Sequence, residues 1–101
     1  MTQTMYFAVM TRDNPDAGDK RQKHYPEHRA HLDAQPDGLA IRISGPLLGE
    51  NGKPVGSLLI IEAETIGQVR KYINSDPYID AGVWSGFSVN AYDWRRGRPE
   101  D

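Results

Sequence analysis

The three histidines of this 101-residue chain, His24, His28 and His31, all lie in one short polar segment. Imidazole titrates near neutral pH and also binds metals, so this segment is the first place to expect acid–base or metal chemistry. If the segment forms one helix, the spacings place the three rings on one face. A three-histidine zinc site would fit that geometry, but no motif such as HExxH supports it. We expect exposed side chains at His24 and His31, and no bound metal.

A carboxylate candidate occurs in the sequence Asp76-Pro77-Tyr78. Proline disfavours a helical conformation in the residue before it, so the simplest interpretation is a helix end followed by a turn. The segment then continues to Trp84 and is rich in aromatic and small residues. That composition is more typical of a pocket wall or a packed loop than of a solvated linker. Both interpretations are open at this point.

Hydrophobic patterning predicts the elements that must position these residues. The polar segment 19–35 tolerates a helix, and Pro26 requires either that the helix starts near it or that a preceding turn is kinked there. A second helix is predicted from Thr65, where Gln68 completes the spacing of a capping box. Apolar runs and alternating segments predict four strands, at 5–10, 39–43, 57–61 and 87–91.

The order βαββαβ predicts an α+β fold of the ferredoxin-like type, an antiparallel sheet with two helices on one face. Gly45-Pro46 is expected to end the second strand. Helices on one face call for strands that alternate apolar and polar residues, yet 5–10 and 57–61 are apolar on both faces. The uncovered face needs a partner, and a second copy of the chain is the simplest one. We therefore predict a homodimer whose sheets pack face to face as an α+β barrel.

Composition narrows the class of protein. Hydrophobic residues make up 38% of the chain, a low share that suits a small domain needing help with its core. The absence of cysteine excludes disulfides, thiol nucleophiles and thiolate metal sites. A formal net charge of −2 gives no electrostatic case for binding nucleic acid or anionic membranes. No apolar run could span a membrane and no signal-peptide pattern occurs, so we expect a cytoplasmic protein with one domain over 1–94 and a charged tail over 95–101.

Five short motifs follow one another in a distinctive order and spacing. They are Met5-Tyr6-Phe7, the segment 26–32 (PEHRAHL), Ser44-Gly45-Pro46-Leu47, Gly56-Ser57 and the segment 76–83 (DPYIDAGV). Together they resemble the YCII-related family, also called YciI-like or DGPF-related, over residues 5–93. The last motif is the most specific, because it is close to the family pattern DPY-x-x-AGV. Each motif alone is weak, and the resemblance depends on all five together.

The resemblance implies a ferredoxin-like fold that dimerises as an α+β barrel, in agreement with the patterning. It also implies a pocket with a catalytic histidine and aspartate, which correspond to His28 and Asp76. The chain departs from the family at Tyr25, where an arginine is frequent, and at Arg29, where a leucine is common. A few family members act in the degradation of chlorinated aromatic compounds, and related barrels include muconolactone isomerases.

A histidine paired with a carboxylate suits general acid–base catalysis, because the carboxylate fixes the tautomer and stabilises the imidazolium. The resemblance and this chemistry predict a cofactor-independent isomerase or a lyase of the dehydrochlorinase type, acting on a small cyclic or aromatic-derived compound. Backbone groups of Ser44 or Gly45 are expected to bind a carbonyl, and aromatic walls are expected from Phe7, Tyr25, Tyr78 and Trp84. Two alternatives are a non-catalytic module that binds or senses a small molecule, and a purely structural pair that ties the first helix to the loop after the second.

Overall fold

The computed structural model describes residues 5–99, which form a four-stranded antiparallel sheet with helices packed on one face. The strand order is β2-β3-β1-β4, so the two most apolar strands lie in the middle. This arrangement confirms the predicted α+β, ferredoxin-like fold. None of the helices in this range has the length and apolarity of a membrane span. The elements are β1 (Met5–Asp13), α1 (Gly18–Lys23), α2 (Tyr25–Asp33), β2 (Ala40–Leu48), β3 (Pro54–Ala63), α3 (Ile66–Asn74), α4 (Pro77–Asp80) and β4 (Trp84–Tyr92).

The core lies between the sheet and the helices. Phe7 of β1 pairs with Ile61 of β3, and both side chains are buried on the helix side. α3 covers them with an apolar stripe formed by Val69, Tyr72 and Ile73, which lie at helical spacing. Burial of apolar surface contributes about 25 cal/mol per Å². Packing of this stripe therefore holds a helix of this length on the sheet, since so short a helix is marginal alone.

The opposite face of the sheet is also apolar along its centre. Because side chains alternate along a strand, Ala8 and Met10 of β1 and Leu58 and Ile60 of β3 point away from the helices. Ile43 of β2 pairs with Ile60 on the same side. Met10 is 51% exposed and Ile43 is 42% exposed in the single chain. We call this surface the open face; it shows that β1 and β3 are apolar on both faces.

The polar segment 19–35 contains two helices. The sequence had left open where a helix would start in this segment. α1 and α2 meet at His24, whose φ of −99° and ψ of 6° interrupt the helical path. Pro26 lies in the first turn of α2, where a missing N–H group costs no intrahelical hydrogen bond. The premise of one helix carrying all three histidines is therefore wrong. α2 alone carries His28 and His31.

The expectation that Gly45-Pro46 ends the second strand is also wrong. β2 continues to Leu48, and Pro46 is paired with Ser57 of β3. β2 lies at the edge of the sheet, where one side of the strand has no neighbour, so a residue without an N–H group is tolerated. The continuation places Ser44 and Gly45 inside the sheet instead of in a loop.

Side-chain caps fix the starts of α3 and α4. Thr65 accepts a hydrogen bond from the N–H of Gln68, and the Gln68 side chain accepts one from the N–H of Thr65, which confirms the predicted capping box. α3 ends before Asp76, as predicted from Pro77, because proline disfavours a helical conformation in the residue before it. The Asp76 carboxylate then caps α4 by accepting from the N–H of Tyr78 at 2.9 Å. The predicted helix stop is thus also a helix start.

The chain after β4 packs back onto the sheet through one residue. Trp94 is buried, and its ring lies edge-on to Tyr6 at a centroid distance of 5.2 Å. The Trp94 Nε1–H donates to the carbonyl of Arg96 at 2.6 Å. The charged tail expected over 95–101 therefore follows directly after a packed residue. Its last two residues, and the first four of the domain expected over 1–94, lie outside the described range.

Candidate active site

The structure brings together the two residues at which the sequence places acid–base chemistry. His28 is the buried residue of α2, and Asp76 lies at the start of α4. The Nδ1 atom of His28 is 2.7 Å from Oδ2 and 2.9 Å from Oδ1 of Asp76. Asp76 is only 1% exposed, so its carboxylate is shielded from water. The contact links α2 to the segment after α3 across the interior of the protein.

Asp76 is held in place by its role as a helix cap. The Oδ1 atom accepts from the N–H of Tyr78 while the carboxylate also accepts from His28. A carboxylate that accepts at a helix N-terminus is favoured by the partial positive charge of the free N–H groups there. Capping therefore fixes both the position and the orientation of the group that faces the imidazole.

Two aromatic rings orient the imidazole of His28. Tyr78 stacks on it, with ring centroids 4.0 Å apart and planes at 8°, and Trp84 lies nearly perpendicular at 5.5 Å. The Tyr78 hydroxyl donates to the carbonyl of Arg21 at 2.9 Å. Burial raises the pKa of Tyr78 more than the Arg21 guanidinium lowers it, so the hydroxyl keeps its proton and its role as donor. Stacking by Tyr78 on one face of the ring and the perpendicular contact with Trp84 beside it limit the rotation of the imidazole.

The other ring nitrogen of His28 is left available. With Nδ1 facing a carboxylate, the neutral ring carries its proton on Nδ1 and its lone pair on Nε2. Nε2 has no hydrogen-bond partner among residues 5–99. Within that range the only buried side-chain nitrogen or oxygen without a partner is Nε1 of Trp84, so Nε2 of His28 is accessible. His28 also lines a cavity of about 200 Å³, which gives this nitrogen a space in which a ligand can lie.

The cavity lies where α1 and α2 face the sheet, and its size and lining suit a small ring. An apolar cavity of about 150 Å³ is enough to bind benzene. Three of the residues predicted to contact a substrate line it, Tyr25, Ser44 and Gly45. The remaining members divide into an apolar set, Leu32, Pro46 and Leu59, and a polar set, Arg21, Arg29 and Ser57.

The other predicted wall residues lie elsewhere. Tyr78 and Trp84 are buried behind the imidazole and do not line the cavity, so they contact His28 instead of the cavity space. Phe7, which was expected to be a wall residue, is 2% exposed and belongs to the core beneath α3. The odd-numbered residues of β1 face the helices, and the sequence alone could not assign that side.

Arg21 is a candidate functional residue that no sequence motif indicated. Its side chain is part-buried and reaches from α1 to Asp13 at the end of β1 and to Gly56 and Ser57 of β3. A lone arginine in a polar helix shows no local pattern that would separate it from solvated neighbours. The Gly56-Ser57 motif was the available signal, because it marked the strand segment on which Arg21 converges.

The remaining histidines were expected to be exposed, but both are half-buried and each has a partner of its own. His31 Nε2 is 3.0 Å from the carbonyl oxygen of Tyr72, and His24 Nδ1 is 3.4 Å from a Glu27 oxygen. Among residues 5–99, no three histidine or acidic side chains lie close enough together to hold a metal ion. The three imidazoles therefore do not form one cluster in this part of the chain.

Comparison with known proteins finds one family and two named relatives that are similar to this chain. A family model described as the YCII-related domain matches residues 5–95. The proteins named Protein YciI from Escherichia coli O6:H1 and from Shigella flexneri are each 28% identical to the chain over 94 residues. These matches cover 87% of this chain and 96% of each relative.

Two solved structures share the fold. The 5-chloro-2-hydroxyhydroquinone dehydrochlorinase TftG from Burkholderia phenoliruptrix, in complex with 2,5-dihydroxybenzoquinone, matches with a TM-score of 0.75 and 30% identity. The match covers 92% of this chain and 96% of that chain. A conserved protein from Methanosarcina mazei matches with a TM-score of 0.53 and 14% identity, over 93% and 95% of the two chains. At that identity the second match concerns the fold alone.

Proposed function

The chain belongs to the YCII-related domain family, and we propose that it is an enzyme in which His28 and Asp76 carry out general acid–base catalysis on a small cyclic compound. One observation carries the proposal. The imidazole has one nitrogen on a buried carboxylate and the other accessible, and the same side chain lines a cavity of ring size. A general base needs this arrangement, because the carboxylate sets the tautomer and the free nitrogen reaches the substrate.

The proposed reaction begins when Nε2 of His28 takes a proton from an acidic position of the bound ring. Asp76 stabilises the imidazolium that forms, since the buried carboxylate already accepts from Nδ1. In an elimination, the electron pair left by the proton forms a new double bond and chloride leaves with its own electron pair. In an isomerisation, the imidazolium returns the proton to another atom of the ring. Neither route requires a covalent intermediate with the protein.

Elimination of hydrogen chloride is the reaction to test first. The dehydrochlorinase TftG shares 30% identity and nearly the whole fold with this chain, and its name states a reaction that a histidine base can begin. That similarity supports a chlorinated, hydroxylated ring as the substrate class. The cavity volume of about 200 Å³ is consistent with a single ring.

We also propose that two copies of the chain associate through the open face defined above. The exposed side chains of Met10 and Ile43, and the apolar row formed by Ala8, Leu58 and Ile60, support this assembly. Packing that face against its own copy would remove the apolar surface from water and give a closed α+β barrel with two cavities.

The function is tested by substituting His28 and following chloride release from 5-chloro-2-hydroxyhydroquinone. We expect wild-type protein to release chloride and His28→Gln to lose at least about 100-fold in kcat, the lower range for a general base. His24→Gln is the matched control, because that side chain lies at the α1–α2 junction, does not line the cavity and has Glu27 as a partner of its own. Turnover that survives in His28→Gln contradicts the proposal. Tight binding of the compound without turnover by the wild type would favour the binding module instead.

A further inference from the structure

Arg21 is held in a way that leaves one of its nitrogens free. Its side chain is 14% exposed, and Nε and Nη2 contact the two carboxylate oxygens of Asp13 at 2.8 and 3.1 Å. Nη2 also donates to the carbonyl of Gly56 and to Oγ of Ser57, each at 3.0 Å. Nη1 has no partner within residues 5–99, and it is not among the buried unpaired atoms of that range, so it is accessible.

Ser57 presents a second donor at the same place. Its N–H donates to Oγ1 of Thr11 at 2.8 Å, and its Oγ accepts from Nη2 of Arg21, so the residue is fixed from two sides. A serine hydroxyl that accepts one hydrogen bond still has its own hydrogen to donate. The preceding residue must be glycine, because a Cβ at Gly56 would lie 2.1 Å from the carbonyl oxygen of Thr11. Close packing of β3 on β1 thus makes this end of the cavity rigid.

These donors share the cavity with the proposed base. Arg21, Ser57 and His28 all line it. The guanidinium carbon of Arg21 is 5.4 Å from the centroid of the Tyr78 ring, and the imidazole of His28 stacks on that same ring at 4.0 Å. A ring bound in the cavity can therefore meet the base on one side and the donors on another.

The charged side chains that line the cavity are also mostly of one sign, positive. Arg21 and Arg29 both line the cavity, and no aspartate or glutamate does, although the whole chain has 14 acidic and 12 basic residues. Asp13 and Asp76 lie behind the lining and are occupied by Arg21 and His28, and Asp33, 4.0 Å from Arg29, lies outside the lining. A concave surface with cationic donors and no facing carboxylate attracts anions.

We propose that Nη1 of Arg21 and the hydroxyl of Ser57 bind an anionic oxygen of the substrate, so that the ligands of this chain are single rings carrying an ionised hydroxyl or a carboxylate. The inference rests on the proposed function for the position of the ring. Donors fixed before the reaction stabilise negative charge on the ring oxygen without reorganising, both in the bound anion and as His28 removes a proton.

The proposal is tested by calorimetric titration with 2,5-dihydroxybenzoquinone, which ionises readily, and with its neutral dimethyl ether. We expect the wild type to bind the ionised compound at least about tenfold more tightly than the ether, the order expected of a charge-assisted hydrogen bond. Arg21→Lys keeps the charge but cannot reach Asp13, Gly56 and the ligand together, so the preference should be lost. Arg70→Lys, on the exposed side of α3, is the matched control and should bind as the wild type does.

Ser57→Ala provides a test that does not depend on the folding of the Arg21 variant. It leaves the contacts of Arg21 with Asp13 and Gly56 in place, and it should weaken binding of the ionised compound several-fold while leaving the ether unaffected. A wild type that binds neither compound or shows no preference overturns the proposal, as do Arg21→Lys and Ser57→Ala variants that keep the wild-type preference.

The same titrations separate this inference from the proposed function. His28→Gln should still prefer the ionised compound, since the anion contacts belong to Arg21 and Ser57. Loss of the preference in the Arg21 variant together with full turnover in His28→Gln would sustain the anion site and reject the dyad. If both the Arg21 and the Ser57 variants keep the preference and His28→Gln loses turnover, the anion site is rejected and the dyad is sustained.

Discussion

A single imidazole connects the buried and the accessible parts of the site. Nδ1 of His28 faces a carboxylate that is 1% exposed, while Nε2 is accessible. A general base needs this difference between the two nitrogens, because a histidine whose nitrogens both have hydrogen-bond partners has no lone pair to offer a substrate. Tyr78 and Trp84 add no hydrogen bond to the ring, but they limit its rotation.

At the scale of residues, the sequence predicted one contact and missed another. The pairing of His28 with Asp76 followed from a family resemblance carried by the motifs around them. Arg21 had no such signal, because its partners Asp13, Gly56 and Ser57 come from strand ends that only the folded sheet brings together. Local patterns predict which residue types are present, and long-range register decides which of them meet.

At the scale of elements, predictions succeeded where the deciding interactions join residues that are close in sequence. The capping box at Thr65 and Gln68 depends on residues three apart, and the structure contains it. The end of β2 was wrong at Pro46, because tolerance for proline depends on whether a strand lies at the edge of the sheet. Sequence alone does not supply that position.

A reciprocal contact joins α2 to α3 behind the site. The Tyr72 hydroxyl donates to the carbonyl of His31 at 3.0 Å, and His31 Nε2 is 3.0 Å from the carbonyl oxygen of Tyr72. The two rings stack at 4.4 Å. Burial, and then the carboxylates of Asp76 and Asp33, raise the pKa of Tyr72 far above its usual value. The contact thus needs a protonated phenol, and it helps to hold α2 in place beside α3.

Tyr72 makes the stability of the protein sensitive to alkaline pH. An unfolded tyrosine loses its proton near pH 10, whereas the folded one retains it, so stability is fully present below about pH 10 and falls above it. The slope reaches about 1.4 kcal/mol per pH unit for one such group. We expect Tyr72→Phe to cost about 1 kcal/mol at neutral pH, through the lost hydrogen bond, and to reduce the alkaline slope.

Urea unfolding of the wild type and Tyr72→Phe, at neutral pH and up to about pH 11, measures this difference. The Tyr78 hydroxyl, whose pKa is also raised by burial, keeps part of the slope in the variant. Equal alkaline slopes in the two proteins would show that Tyr72 does not carry the effect.

At the scale of the whole molecule, the apolar residues of β1 and β3 divide between two faces. Phe7 and Ile61 face the helices, and Ala8, Met10 and Ile60 face the other way. The patterning therefore predicted both the one-sided covering by helices and the exposed apolar surface. It could not predict that Trp94 packs on Tyr6 beside that surface, because the contact joins the two ends of the chain.

Association through the open face is tested by placing a charge at its centre. We expect the wild type to have the mass of a dimer by light scattering and Met10→Glu to have the mass of a monomer, because a carboxylate in an apolar interface loses its hydration without a partner. Val55→Glu is the control, since Val55 is similarly exposed at 48% but lies near the start of β3, outside the apolar row formed by Ala8, Leu58 and Ile60. A wild-type monomer, or a Met10→Glu dimer as stable as the wild type, would contradict this assembly.

The proposed role of His28 as a base depends most directly on which of its ring nitrogens carries the proton. Nitrogen-resolved NMR of the imidazole side chains, recorded at a pH where the ring is neutral, identifies the tautomer without any substrate. We expect the proton on Nδ1, hydrogen-bonded to Asp76, and an unprotonated Nε2, with this tautomer losing its dominance in Asp76→Asn. A proton found on Nε2 in the wild type would leave no base facing the cavity, and it would contradict the proposed role of His28.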